Sequence, residues 1–438
     1  MGGLVLYKGY DMDLSLISNA TLRNWNRLSN YNSDRLAARS NKKLSRKQIL
    51  PIEYVNNQEN FAEILKIIEI KDENRYSIED VIYSLAINLL NKNELLGKEH
   101  TKRVLGFYSY KAHAELLALS LPNDESDFLG LVYQSLLREG QKNIKGSYYT
   151  PFKICKEMVQ ELDFSNEQIF LDPCCGSGAF LLALENVNPK QLYAIDKDPI
   201  AVFITKINLL LKYRIYEFIP QVICCDYLDD VDSPYAIKKY DYIITNPPWG
   251  AMNNAIKYSS YIKSRETFSL FFEKAYYQLK EKGIIRCLFP EAILNVKTHS
   301  DIRNFILEKG SLERITYYSD HFSGVASNIV DILLKKHKSV SRITVKKNDR
   351  EFLLNRDTFY ITKNKVFNII TDADNEIIKK VREKGKETLS NSVWALGIVT
   401  GDNKTKLKNH PETGYEVIYT GKEILPFRLK PEKKYILY

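Results

Sequence analysis

No apolar run in this chain is long enough to cross a bilayer, and Met1 to Tyr10 lacks the basic-then-apolar form of a signal peptide. A soluble cytoplasmic protein is therefore expected. No Cys-x-x-Cys occurs: the six cysteines include the adjacent pairs Cys174-Cys175 and Cys224-Cys225, on segments that read as strand ends. That is not metal-ligand spacing, so no metal is expected, and the thiols read as small buried hydrophobes in a reducing compartment. Internal repeats and low-complexity tracts are also missing. What is present is globular: 44% hydrophobic, 12% aromatic and 27% charged residues exclude global disorder. A length of 438 residues exceeds one comfortable core and suggests two or three domains. The net charge of +9 favours a polyanionic partner without requiring one.

Residues 1–145 carry apolar positions at helical spacing in Phe61–Ile70, Ile78–Leu95, Ala112–Leu121 and Phe128–Leu137, which predicts a helical amino-terminal domain. Ser77 followed by Asp80 fits a capping box. An early basic run, Arg23, Arg27, Arg35, Arg39, Lys42, Lys43, Arg46 and Lys47, is either a phosphate contact or a solvated helix face. From residue 146 short apolar runs alternate with helical segments, as in strand-helix units of a mainly parallel sheet. The strands are expected at Ile169–Asp172, Gln191–Asp196, Gln221–Asp226, Tyr242–Thr245 and Ile284–Phe289. Arg314–Tyr318 and Asn328–Lys335 are joined by too short a loop for a parallel crossover and read as an antiparallel hairpin. After about residue 360 the chain reads as linker, helix and a mixed segment rich in Lys, Gly and β-branched residues.

The first chemical signal is Asp172-Pro173-Cys-Cys-Gly176-Ser-Gly178-Ala-Phe, which follows a strand and opens a helix, so that its glycines let a ligand approach the backbone. A dinucleotide fingerprint needs a third glycine, and position 181 is Leu. The leading carboxylate of Asp172 would repel pyrophosphate and attract an ammonium group. Asp196, eighteen residues past Gly178, ends the second strand, where an acid accepts ribose hydroxyls. Asp226, ending the third strand before Tyr227, stands where an acid accepts the amino hydrogens of an adenine ring. Each acid alone is as well explained by helix capping, but three at consecutive strand ends converge on one adenosine-containing molecule.

At the end of the fourth strand stands Thr245-Asn246-Pro247-Pro248-Trp249-Gly250. Two prolines cannot continue a central strand, so the segment leaves the sheet as a rigid turn. The Asn246 side-chain oxygen and a proline carbonyl can then both accept from one aryl amine, drawing its nitrogen lone pair out of conjugation. Trp249 offers a flat surface for a base, or else packs against the domain.

These motifs resemble those of amino-group DNA methyltransferases. Gly146-Ser-Tyr-Tyr-Thr150-Pro151, before the cofactor loop, resembles motif X, and the order of motifs is that of the gamma class, adenine methyltransferases of restriction-modification systems. Thr150 is a good helix N-cap with Pro151 at the first helical position, and the resemblance places it at the cofactor's methionine carboxylate. The resemblance implies an α/β, Rossmann-like S-adenosylmethionine-dependent methyltransferase fold, with a mostly parallel seven-stranded sheet, an antiparallel hairpin and the helical amino-terminal domain. Asn246, Pro247, Pro248 and Trp249 would be catalytic, joined by Phe322 as the aromatic that stacks on a flipped base. Thr150, Asp172, Pro173, Gly176, Gly178, Asp196, Asp226, Tyr227 and Phe271 would hold S-adenosyl-L-methionine, with Phe271 on its adenine. The expected substrate is N6 of adenine in double-stranded DNA, with a separate restriction endonuclease or specificity subunit as a possible partner.

Three domains are expected: a helical 1–145, a catalytic 146–355, and 356–438 as linker and beginning of a target-recognition domain. That last domain looks incomplete, because the chain stops in the strand-like run Tyr-Ile-Leu-Tyr438. Three rivals remain open. A release-factor-type protein glutamine methyltransferase uses a similar Asn-Pro-Pro loop; an amino-cytosine enzyme more often starts that loop with Ser; and a catalytically inactive DNA-binding subunit would not need its acids intact.

Overall fold

Short buried strands alternate with helices from Phe170 onward in the computed structural model of the chain, which describes residues 4–7, 59–122, 127–138, 150–164, 167–250, 260–318, 328–337, 340–347, 350–385, 393–396, 398, 403–426, 428–430 and 433–437. Nine strands form one sheet: β1 (Phe170–Asp172), β2 (Leu192–Asp196), β3 (Gln221–Cys224), β4 (Tyr240–Thr245), β5 (Leu279–Pro290), β6 (Ser311–Tyr318), β7 (Ile329–Lys335), β8 (Arg342–Lys347) and β9 (Arg350–Asn355). Their order is β9-β8-β6-β7-β5-β4-β1-β2-β3. β1 to β5 run parallel, and β7 lies antiparallel between β5 and β6. The expected hairpin and the expected seven strands are therefore β1 to β7. The sheet continues by two strands because β8 buries Ile343 and Val345 at period two and adds parallel to β6.

Apart from the edge strand β3, the parallel strands are largely buried on both faces, and alternate residues feed two cores. Phe170, Ala194, Tyr242 and Ile244 join one cluster, whereas Leu171, Ile195 and Ile243 join the other. Helices α1 (Glu59–Asn74), α2 (Ile78–Lys92), α3 (Glu99–Leu105), α4 (Ala114–Leu117), α5 (Phe128–Leu136), α6 (Phe152–Val159), α7 (Ala179–Ala183) and α8 (Pro199–Lys212) precede or follow the first strands. The amino-terminal helices share the first cluster with the sheet: Ile64, Val81, Leu85, Leu129 and Val132 lie in it with Phe203 and Leu209 of α8. On the other face lie α9 (Pro234–Ile237), α10 (Thr267–Gln278) and α11 (Ser300–Lys309), of which α10 and α11 supply Phe268, Phe272 and Phe305 to the second cluster.

Ser77 caps α2 by accepting the Asp80 N–H at 3.0 Å. The Asp80 carboxylate reaches across the domain to the Lys111 N–H, at 2.8 Å. In the sheet, Arg286 of β5 and Asp331 of β7 form a buried ion pair, and Arg286 Nη1 also donates to the Met158 carbonyl near the end of α6, at 2.8 Å.

By contacts the chain divides into Arg39–Asn375, described above, and a second unit of Met1–Ala38 with Glu376–Tyr438. Within the second, Leu4–Tyr7 pairs antiparallel with Val393–Leu396, and Leu407–Lys408, Lys434–Leu437 and Tyr415–Ile418 form a small sheet. Among the described residues no helix is long and apolar enough to cross a membrane. All six cysteines are free; Cys155, Cys175 and Cys287 are buried as expected, while Cys224 is exposed.

Candidate active site

The parallel register brings the motif residues to one rim. Asp172 at the end of β1 is level with Ala194 of β2, and Asp196 at the end of β2 is level with Cys224 of β3. On the other side Leu171 pairs with Ile243, so Asn246 leaves β4 just beyond the start of the glycine loop that follows Asp172. The strand order reverses between β1 and β4, which makes this rim a topological switch point. The loops stay stitched after the strands end: Cys175 N donates to Ile195 O and Cys225 N to Asp196 O, both at 3.0 Å.

Asp172 is 1% exposed and its Oδ1 accepts the Cys174 N–H at 3.1 Å. Burial pushes its carboxyl up to about 7, against the lowering pull of that N–H and of the neighbouring Thr245 hydroxyl. Its Oδ2 is buried and makes no hydrogen bond of good geometry among the described residues, although the Thr245 hydroxyl lies near the carboxylate. Such an atom is costly unless a ligand meets it. An ammonium group is the partner that satisfies a buried carboxylate, so this atom fits the cofactor that the sequence implies.

Asp196 is half-buried, and its two oxygens accept the N–H groups of Gly176, at 2.8 Å, and Asp198, at 2.9 Å. Burial raises its carboxyl, and those two N–H bonds oppose the rise. Gly176 and Gly178 have φ of +54° and +90°, the left-handed region that glycine enters without strain. A Cβ on Gly178 would lie 3.0 Å from Thr205 Cγ2, and Thr205 Oγ1 donates to the Gly176 carbonyl at 2.7 Å. Pro173 is buried beside them. Asp226 is exposed and accepts the Leu228 N–H at 3.0 Å.

Asn246 is half-buried, and its Nδ2 donates to Thr150 Oγ1 at 3.2 Å. An amide whose nitrogen is held in this way presents its oxygen as the acceptor. Thr150 thus does not cap α6, which begins at Phe152 with Pro151 as N-cap; its hydroxyl turns to the Asn246 turn instead. Pro247 is buried and Pro248 half-buried. Trp249 is half-buried, touches both cores, and carries a buried indole N–H with no partner among the described residues. The turn closes at Gly250, whose carbonyl accepts from Thr267 N at 2.8 Å and Thr267 Oγ1 at 2.7 Å at the start of α10.

Tyr227 and Phe271 are brought together, with ring centroids 5.1 Å apart, but in the second core. The Tyr227 hydroxyl donates to Gln278 Oε1, and Lys274 Nζ lies 4.6 Å from its ring. Phe322, and the motif X residues before Thr150, lie outside the described residues, as does the basic run from Arg23 to Lys47.

Sequence reasoning missed a second layer. Ser177 Oγ donates to Asp127 Oδ2, and Asn208 Nδ2 bridges Asp127 Oδ1 at 2.7 Å and the Ser177 carbonyl at 2.9 Å. The Tyr133 hydroxyl donates to Asp198 Oδ2 at 2.6 Å. A lone Asp before Phe128 signals a helix cap, which it is, and nothing local says that it also grips a loop 50 residues on.

A parallel sheet with this strand order, one antiparallel insertion, and a glycine loop and acids at its carboxyl rim define the class I S-adenosylmethionine-dependent methyltransferase fold. DrdV in its cryo-electron-microscopy complex with DNA is similar in fold, with TM-score 0.50 and 16% identity over 73% of this chain and 41% of that one. The family described as N-6 DNA Methylase matches residues 124–413, and the chain belongs to it. Type II methyltransferase M.VspI of Vibrio sp. (strain 343) is 27% identical over 355 residues, covering 76% of this chain and 85% of that protein. Type II methyltransferase M.HincII of Haemophilus influenzae is 26% identical over 223 residues, 47% of this chain and 40% of that protein.

Proposed function

We propose that this N6 DNA methyltransferase modifies the exocyclic amine of an adenine flipped out of double-stranded DNA, as the modification part of a restriction-modification system. The reading rests on one observation: Asp172, Asp196 and Asn246 stand at the ends of neighbouring strands at one rim, where Asp172 Oδ2 is buried with no hydrogen bond of good geometry among the described residues. The bound S-adenosyl-L-methionine supplies an electrophilic methyl carbon on a sulfonium sulfur. Asp172 holds its ammonium group, the glycine turn at Gly176 and Gly178 admits it against the backbone, and Pro173 stiffens that turn. Asp196 takes the ribose hydroxyls, Asp226 and the Tyr227 backbone lie toward the adenine, and Phe271 supports that wall through Tyr227. Thr150, two residues ahead of α6, stands on the side of the methionine carboxylate.

On the DNA side, Asn246 Oδ1 and the Pro247 carbonyl accept the two amine hydrogens and hold the nitrogen lone pair toward the methyl carbon. Pro248 keeps the turn rigid, and Trp249 and Phe322 flank the base. Extruding the base costs about a few kcal/mol, which stacking and hydrogen bonding offset. Residues 356–438 begin the target-recognition region, and a separate restriction endonuclease or specificity subunit completes the system. Transfer of labelled methyl to duplex DNA followed by nucleoside analysis tests this: label in N6-methyladenine is expected, and label in N4-methylcytosine or in protein instead would overturn it.

A further inference from the structure

The carboxylate of Asp196 sits in a closed ring of contacts that the sequence motifs do not contain. One oxygen takes the Gly176 N–H and the other the Asp198 N–H. The residue after Gly176 is Ser177, bound to Asp127, and Asp198 is bound to Tyr133. Asp127 and Tyr133 stand at the N-cap and in the body of the same helix, α5. That helix therefore grips both sides of Asp196, from a segment that contributes no strand to the sheet. Its approach depends on Gly130, where a Cβ would lie 2.6 Å from Ser177 Cβ and 2.4 Å from Asp127 Oδ2. Tyr133 is fully buried, and burial with the neighbouring Asp198 carboxylate keeps its hydroxyl protonated and donating.

We propose that α5 is the positioning helix of the cofactor site: Asp127 and Tyr133 set the affinity for S-adenosylmethionine by holding Ser177 and Asp198 on either side of Asp196. The inference rests on the cofactor reading given above. Neither side chain belongs to the motifs that would contact the cofactor; each acts through a neighbour. A loop held in its binding geometry before the ligand arrives loses less freedom on binding, so the helix contributes to affinity and not to the transfer step.

The test is calorimetric S-adenosylmethionine binding to the full chain, together with KM for the cofactor and kcat on duplex DNA. Tyr133→Phe removes one oxygen from a packed ring, and Asp127→Ala removes the loop grip. Each is expected to raise Kd and cofactor KM about tenfold while kcat at saturating cofactor stays within about twofold. Asp127→Asn keeps an acceptor for Gly130 N and a polar contact for Ser177, and is expected to restore binding to within about threefold of the parent. Unchanged cofactor affinity in Tyr133→Phe and Asp127→Ala overturns the proposal. So does a fall in kcat that tracks thermal stability with KM unchanged, since a merely structural helix would give that pattern. Failure of the unmutated protein to bind S-adenosylmethionine would instead remove the cofactor reading, and the inference with it.

Discussion

Thr150 and Asn246, separated by 96 positions, share a hydrogen bond of 3.2 Å from the asparagine Nδ2 to the threonine Oγ1. The bond joins the segment ahead of the cofactor loop to the turn after β4, so the orientation of the amide depends on a residue from another motif. Thr150→Val removes the acceptor at nearly constant volume. kcat for methyl transfer is expected to fall about tenfold, with cofactor KM within about twofold. A rise in KM with kcat intact would assign the hydroxyl to the cofactor carboxylate.

Asn246→Ala removes the acceptor proposed for the target amine. Turnover on duplex DNA should fall about a hundredfold or more, while S-adenosylmethionine binding by calorimetry stays within about threefold. Equal losses in turnover and cofactor affinity would move Asn246 from the amine to the cofactor.

Asp172 links the site to pH. Its carboxyl is raised to about 7 by burial, above the ordinary value of about 3.9. Ionising it therefore penalises the free fold, and the stability present at low pH is lost as pH rises from about 4 through about 7. Cofactor ammonium favours the ionised form, so affinity should strengthen across the same window. Calorimetry at pH 6 in two buffers of different ionisation heat should report release of about one proton. No release, or weaker binding at pH 7.5 than at pH 6, would separate Asp172 from the ammonium.

Gly178→Ala places a Cβ at φ +90°, 3.0 Å from Thr205 Cγ2. The left-handed backbone alone costs about 1–2 kcal/mol. Denaturant titration should show at least that loss, and cofactor binding should weaken because the loop shifts.

Arg286→Met strands the Asp331 carboxylate, which is 0% exposed. Breaking such a pair from one side costs about 3–5 kcal/mol. The double variant Arg286→Met, Asp331→Leu should recover most of it. A double variant as unstable as the single would mean that the lost contact to the Met158 carbonyl, not the stranded charge, carries the effect.

How far the motifs could be read from the sequence depended on how local they are. The expected β1 to β7 were found within a few residues, because short apolar runs bounded by turn residues are local signals. β5 runs from Leu279 rather than Ile284, since its first residues pair by neighbours and not by their own pattern. β8 and β9 escaped notice because both are largely polar strands at the margin of the sheet, β8 burying only Ile343 and Val345 and the edge strand β9 only Leu354. Tyr227 and Phe271 were expected among the cofactor residues, Phe271 on the adenine; the fold sets both rings in the second core, where the Tyr227 hydroxyl meets Gln278.

Sequence by itself determined the parts that have a required chemistry: the glycines whose φ must be positive, the acids that end consecutive strands, and the prolines that force Asn246 out of the sheet. Only the tertiary structure decided which groups those parts lean on. The turn of Thr150 toward Asn246, and the grip of Asp127 and Tyr133 on either side of Asp196, join segments far apart in the chain. Such contacts leave no periodicity to read, because the partner of a polar side chain is set by packing and not by its neighbours in sequence.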